Sequence, residues 1–265
     1  MTATPWLPLV VKALATALLV ISASRAAEAL GPVWGAIIAS LPVSAGPAYV
    51  FLAMQHGPEY VAASALNSAV ANAATGLFLI AYGVMASRLP PWRCLAAAVA
   101  IWLMASMVLQ QAVWTVATTA ALNLSVYGLG LVLVNRSGTA EPGPVRQLQR
   151  RWFDLPLRAV LIAAFVSLVV AGSAALGPAV TGFAAVFPVS LISLIVMLQP
   201  RLGGPATAGV ATKALAPMLG FGVMLLVMHL AIRPIGVVAA IGLALAVCVL
   251  WSGALLLIQV RRAAG

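Results

Sequence analysis

The polar side chains best suited to chemistry in this chain stand isolated inside long apolar runs. Ser64, Asn67, Ser68, Asn72 and Thr75 follow spacings of three and four, which sets them along one face of a helix. A carboxamide in an apolar setting is costly unless it meets protein or water. Such a stripe either lines a polar pathway or bonds one helix to its neighbours. Pro42 and Pro188 interrupt two other apolar runs, and a serine follows each of them two residues later, Ser44 and Ser190. Proline removes a backbone donor and clashes with the carbonyl four residues earlier, so each is expected to kink or break its helix. The freed carbonyls and the nearby hydroxyl suit the recognition of a small solute; the bland alternative is a kink repaired by neighbouring helices. Lys213 stands in another apolar run, where a lysine either serves a site or snorkels to the polar surface. Pro42, Ser44, Asn67, Asn72, Pro188, Ser190 and Lys213 are therefore the expected substrate-contacting set. Asn123, Tyr82, Gln55 and Gln199 are weaker lining candidates. His56 falls in a loop and His229 near the end of its run.

The acidic residues Glu28, Glu59, Glu141 and Asp154 all fall in loops or at the ends of apolar runs. That placement disfavours proton coupling through a buried carboxylate. No HExxH, GxSxG, Walker or Asp-rich motif occurs in the sequence, so no catalytic residue, metal or cofactor is expected, and the chain does not read as an enzyme.

The setting of these residues follows from composition. The chain is 64% hydrophobic and only 7% charged, against about 25% charged for a soluble domain. A water-soluble fold has too few charges here to cover its surface. The apolar runs are continuous over about 20 residues rather than alternating, which indicates transmembrane helices and excludes a β-barrel. The net charge of +10 has no basic stripe interleaved with aromatics, so nucleic acid is not an expected partner; the lipid bilayer and a small-molecule solute are. Cys94 and Cys248 are too few for a disulfide framework or a metal site.

The elements that must position the polar residues are duplicated. Ala29-Leu30-Gly31-Pro32 recurs as Ala175-Leu176-Gly177-Pro178, and Pro42-Val43-Ser44 as Pro188-Val189-Ser190. At this constant offset of 146 residues, 11 of the 29 positions from 29 to 57 are identical, where composition alone would give roughly 3. Later matches include Ala62 with Ala208, Ala65 with Ala211 and Gly76 with Gly222, and the same register sets Lys213 opposite Asn67. Small residues at intervals of four, Gly31, Gly35 and Ala39, recur as Gly177, Thr181 and Ala185, a pattern suited to close helix packing.

The runs divide into nine expected spans. They are 6–22, 30–54, 60–86, two from 92–134 split near Gln110-Gln111, then 155–172, 176–198, 205–232 and 235–260. The first could be read as a signal peptide with Lys12 as its basic region, but Lys12 has a counterpart in Arg158 of the second half. With nine spans, Arg25, Arg88, Arg93, Arg136, Arg146, Arg150, Arg151, Arg201, Arg261 and Arg262 share one side, and only Lys12 and Arg233 fall on the other. The positive-inside rule then sets the N-terminus outside and the C-terminus in the cytoplasm. Five spans precede the second copy, so the copies would insert with opposite orientation. The expected fold is an all-α polytopic bundle with an inverted 4+1+4 repeat. It comprises a first repeat (1–112), a connecting transmembrane helix (113–134), a cytoplasmic basic linker (135–154) and a second repeat (155–265).

The pattern from Gly35 to Gly57, with Pro42 inside an apolar run that ends in a polar residue and glycine, resembles the GlpM-like family of small hydrophobic bacterial membrane proteins. Members are about the size of one half of this chain. The resemblance implies a four-helix unit, here duplicated and fused, and carries over no functional residues. Together these observations point to a bacterial inner-membrane transporter or facilitator of a small anionic or zwitterionic solute. The alternative is a non-transporting accessory protein of an envelope assembly, and a homo-oligomer is compatible with either.

Overall fold

The computed structural model describes residues 6–29, 45–137 and 154–264. The first copy of the duplicated motif, with Pro42 and Ser44, and most of the basic linker lie outside the described residues. The described elements are all helices. In order they are α1 (Trp6–Ala29), α2 (Ala45–Gln55), α3 (Pro58–Met85), α4 (Pro91–Leu109), α5 (Val116–Ser137), α6 (Asp154–Ala185), α7 (Val189–Leu202), α8 (Gly204–Lys213), α9 (Leu215–Ile235) and α10 (Val237–Ala264).

Six stretches among the described residues are long and apolar enough to cross a membrane, so the chain is a multi-pass integral membrane protein. One of the six, Asp154–Leu202, is 49 residues long and takes in two of the nine spans expected from the sequence. The expected span 30–54 falls partly outside the described residues.

Helix α3 occupies the middle. Ala62, Ala65, Ala69, Ala73 and Gly76 leave so little side chain on it that α4, α5, α6 and α9 all pack against its length, and α8 against its end. The outer helices bury far less. Met104, Met107 and Val108 of α4 and Leu250 and Leu257 of α10 are exposed, as a face turned to lipid tails requires.

Contacts between named residues fix the directions. Glu59 meets Arg233, Ala62 meets His229 and Asn72 meets Met218, so α3 and α9 are antiparallel. Asn72 meets Asn123, and Gly76 lies against Val126, so α5 runs parallel to α3. Helix α4 runs back along α3, with Trp102 at Thr75 and Cys94 at Tyr82. One end of the bundle carries the Glu59–Arg233 pair, with N–O 2.8 Å. At the other, Arg88 follows α3, Arg93 opens α4, and Arg201 forms a bidentate pair with Asp154 at 2.7 and 2.8 Å.

Breaks in the helices have local causes. Gln110 and Gln111 stand in the turn that separates α4 from α5. Pro217 lacks the N–H that would bond the Lys213 carbonyl, and the chain breaks between α8 and α9 at Ala214. Helix α6 is interrupted at Gly177, where φ is 71° and ψ 171°. That backbone region is essentially restricted to glycine.

Gly177→Ala is therefore expected to cost about 1–3 kcal/mol and to lower the thermal midpoint of the detergent-solubilised protein by several degrees. Gly242→Ala, where an added Cβ meets open space in the middle of a helix, should leave it unchanged or slightly raised. Equal midpoints for the two variants would contradict the kink.

Candidate functional site

The site is built around the second copy of the duplicated motif. Residues 178–185 form a half-helix after the Gly177 kink, with Pro178 in its first turn, where a missing N–H costs nothing. Gly182 turns toward α3. A Cβ there would collide with the Ser64 backbone oxygen and come within 2.8 Å of the Asn67 Cβ. Only glycine lets the half-helix touch the α3 backbone. The Ser68 hydroxyl donates to the Gly182 carbonyl at 2.6 Å and accepts from the Tyr49 hydroxyl at 2.6 Å. One chain of bonds thus joins α2, α3 and the half-helix.

Beyond Ala185 the helix stops. The Val186 and Phe187 N–H groups bond the carbonyls of Phe183 and Ala184 at 3.3 and 3.0 Å, a tightened final turn. Pro188 has no N–H to continue the ladder, and a new helix, α7, starts at Val189. The Pro188 carbonyl accepts from the Ile192 N–H at 2.8 Å, and no side chain caps the N-terminus of α7. The Ser190 hydroxyl beside it is buried and has no hydrogen-bond partner. The Phe187 ring stands edge-on to Trp102, centroids 5.1 Å apart, and the Trp102 indole N–H donates to Thr75 at 3.1 Å. Thr75 lies about 26 Å along an α3 of about 42 Å, so the break falls near mid-depth.

A second polar cluster lies one turn further along the same face of α3. The Asn72 carboxamide N–H groups donate to Asn123 Oδ1 at 3.0 Å and to the Met218 carbonyl at 2.9 Å. Asn123 donates to the Ala69 and Thr119 carbonyls, both at 2.9 Å. Tyr127 donates to the Asn72 carbonyl at 2.8 Å. This knot ties α3, α5 and α9 together at the level where Asn72 is fully buried.

A third cluster closes the end that carries Glu59. Ser173 donates its hydroxyl proton to the Val170 carbonyl at 2.7 Å, so His56 Nε2, 2.7 Å from the same oxygen, is the donor of that pair. Tyr60 donates to the Ser173 carbonyl at 2.6 Å, which leaves the Thr181 hydroxyl to donate to the Tyr60 oxygen at 2.8 Å. His56 and Tyr60 stack with centroids 3.8 Å apart. Ser173 precedes the Gly177 kink and Thr181 follows it, so this cluster clamps both arms of the bend.

Of the residues expected from the sequence, Pro188 and Ser190 stand at the break itself. Asn67 borders the half-helix, is half-buried, and donates to the Ala63 carbonyl of its own helix at 2.9 Å. Asn72 bonds helix to helix. Lys213 does not join them. It is exposed at the end of α8, and its neighbour Thr212 packs against Gly83, about 16 Å along α3 from Asn72. Pro42 and Ser44 lie outside the described residues. Of the weaker candidates, Asn123 is central, and Gln199 and Tyr82 are buried. The sequence pattern marks Thr181 only as a small packing residue and does not mark Tyr49, Tyr60, Ser173 or Tyr127. Their only sequence signal is a hydroxyl inside or beside an apolar run.

Comparisons of the chain with protein-family models, with curated proteins and with solved structures find no match. Its own geometry carries the functional reading.

Two expectations follow. Asn123→Ala leaves an Asn72 donor buried without its partner, a loss of about 1 kcal/mol for an interhelical bond in a membrane protein, read as a lower thermal midpoint. Tyr60→Phe removes both bonds of the clamp and should lower the midpoint measurably. Glu59→Gln, next in the chain but exposed, should not. If Glu59→Gln lowers the midpoint as much as Tyr60→Phe, the clamp is not what closes this end.

Proposed function

We propose that this protein is a secondary transporter or facilitator of a small anionic or zwitterionic solute, acting without enzymatic chemistry. The observation that carries the reading is the discontinuous helix broken at Pro188, near mid-depth, against the polar face of α3. In membrane transporters, interrupted helices of this kind supply the solute site, because half-helix termini present backbone groups with no intrahelical partner. The α7 N-terminus suits a carboxylate or phosphate. Ser190 stands beside it, and Asn67 borders the facing half-helix. Lys213, exposed at the other level, is left out of the solute site, so the anionic preference rests on the helix terminus.

The architecture proposed around this site is the inverted 4+1+4 repeat, a nine-span chain with α5 as the connecting helix. Two features support it. Helices α3 and α8 start at Pro58 and Gly204, and α4 and α10 at Pro91 and Val237, each pair 146 residues apart. The corresponding α3 and α9 are antiparallel neighbours, as a two-fold axis in the membrane plane would make them. The GlpM-like resemblance of each half fits the same four-helix unit. By the positive-inside rule the arginine-rich end faces the cytoplasm of a bacterial inner membrane, with the C-terminus there and the N-terminus outside.

A second reading, a non-transporting accessory protein, is favoured by one observation. Ser68, Asn72 and Thr75 are all bonded to other protein groups and fully or almost fully buried, as in a bundle held permanently shut.

Ser190→Cys in a chain lacking Cys94 and Cys248 separates the two. The transport reading expects this cysteine to react with a membrane-impermeant thiol reagent from at least one side of sealed membranes, and a transported solute to slow the reaction. No reaction from either side, with full reaction after denaturation, would sink it and leave the accessory reading.

A further inference from the structure

A cavity of about 250 Å³ lies away from the proposed solute site, at the arginine-rich end, between the last turns of α3 and α5 and the end of α8. Ile80, Val84, Leu133 and Val134 form an apolar wall, and Ser87, Arg88 and Thr212 bring polar groups to it. The space exceeds the volume of several waters, at about 30 Å³ each. Val84 and Leu133 are 49% and 38% exposed, so the cavity opens on the lipid-facing perimeter as well as at the end of the bundle.

Arg88 is the residue that needs a partner. It is exposed and follows α3 by one turn. The described carboxylates near chain ends are engaged elsewhere, Glu59 with Arg233 and Asp154 with Arg201. Among the described residues no acid pairs with Arg88. Helix dipoles offer a rival account, because α3, α5 and α8 all end here and a cation at a helix C-terminus is favourable. The backbone weakens that account. The Tyr82 carbonyl accepts from the Ala86 N–H at 2.9 Å, the Met85 carbonyl from the Arg88 and Leu89 N–H groups at 2.9 Å, and the Ala211 carbonyl from the Ala214 N–H at 3.1 Å. These three carbonyls already have donors, which leaves the guanidinium fewer backbone acceptors at this end. Thr212 donates its own proton to the Ala208 carbonyl at 2.9 Å, so Ser87 is the hydroxyl with a free proton to offer beside it.

We propose that this cavity binds one anionic phospholipid, its phosphate diester on Arg88 and Ser87 and the start of its acyl chain along Ile80, Val84 and Leu133. A guanidinium at the membrane surface, next to an apolar groove open to lipid, is the chemistry that holds a headgroup phosphate at a fixed place rather than in a diffuse layer. The inference does not depend on the transport reading.

The test uses the full chain in discs of neutral phosphatidylcholine containing a minor fraction of phosphatidylglycerol. The phosphatidylglycerol retained after detergent release is counted by mass spectrometry of the intact protein. The expected result is one retained phosphatidylglycerol in the parent, unchanged in Arg93→Gln and reduced about fivefold in Arg88→Gln, the effect of one basic contact at a membrane surface. Arg93 serves as the control because it sits at the same end over Trp92 and does not line the cavity. Arg88→Gln, at an exposed position, should keep the parent thermal midpoint. Retention unchanged in Arg88→Gln would overturn the proposal. So would equal loss in both variants, which would mean diffuse charge. Displacement of the lipid by inorganic phosphate would overturn it too, since that would make the cavity a site for the free anion.

Discussion

The polar groups that this chain carries into its interior depend on one another for partners, because the bilayer supplies none; the Ser64 and Ser190 hydroxyls are buried without one. The rest of the structure depends on that constraint. Helix α3 brings Ser64, Ser68, Asn72 and Thr75 to the middle of an otherwise apolar bundle, all of them buried. Its neighbours are selected by what they offer those side chains. Helix α5 offers Asn123, α9 the Met218 carbonyl, α4 the Trp102 indole, and the half-helix after Gly177 the Gly182 carbonyl. The alanines and glycine between the polar positions then let these helices approach closely enough for the bonds to form.

The same constraint explains why the irregular backbone sits where it does. A helix broken at Pro188 frees backbone groups that would be intolerable against lipid, and it is placed with its half-helix against α3 and Phe187 against Trp102. The break is thus enclosed by protein near the middle of the bundle. On either side the bundle differs. One end is closed by the cluster of His56, Tyr60, Ser173 and Thr181, which bridges the two arms of the Gly177 bend. The other carries the Arg201–Asp154 pair and the cavity beside α8.

The sequence shows some of this and hides the rest for physical reasons. The helical character, the break at Pro188 and the polar face of α3 are local properties. Each follows from one residue type or one spacing, so each can be read without knowing what packs where. The partners are not local. Tyr60 and Thr181 are 121 residues apart and Asn123 and Ala69 are 54 apart, and no local spacing rule relates residues on different helices. Lys213 shows the same limit. Its register opposite Asn67 suggested a shared site, but α3 and α9 are antiparallel and meet at Asn72 and Met218, so Asn67 and Lys213, each five residues before that contact, fall on opposite sides of it. Pro217 also moves the helix break to Ala214, which leaves Lys213 at an exposed helix end.

The central claim is that two copies of one four-helix unit face opposite ways in the membrane and that the broken helix lies where they meet. Topology tests it most directly. Single cysteines would be placed before α1, in the basic linker and after α10, in a chain lacking Cys94 and Cys248, and labelled in sealed cells with an impermeant reagent. The account predicts labelling of the N-terminal position from outside and protection of the linker and the C-terminus. Both termini on the same side would mean an even number of spans and parallel copies, and the inverted repeat would be contradicted.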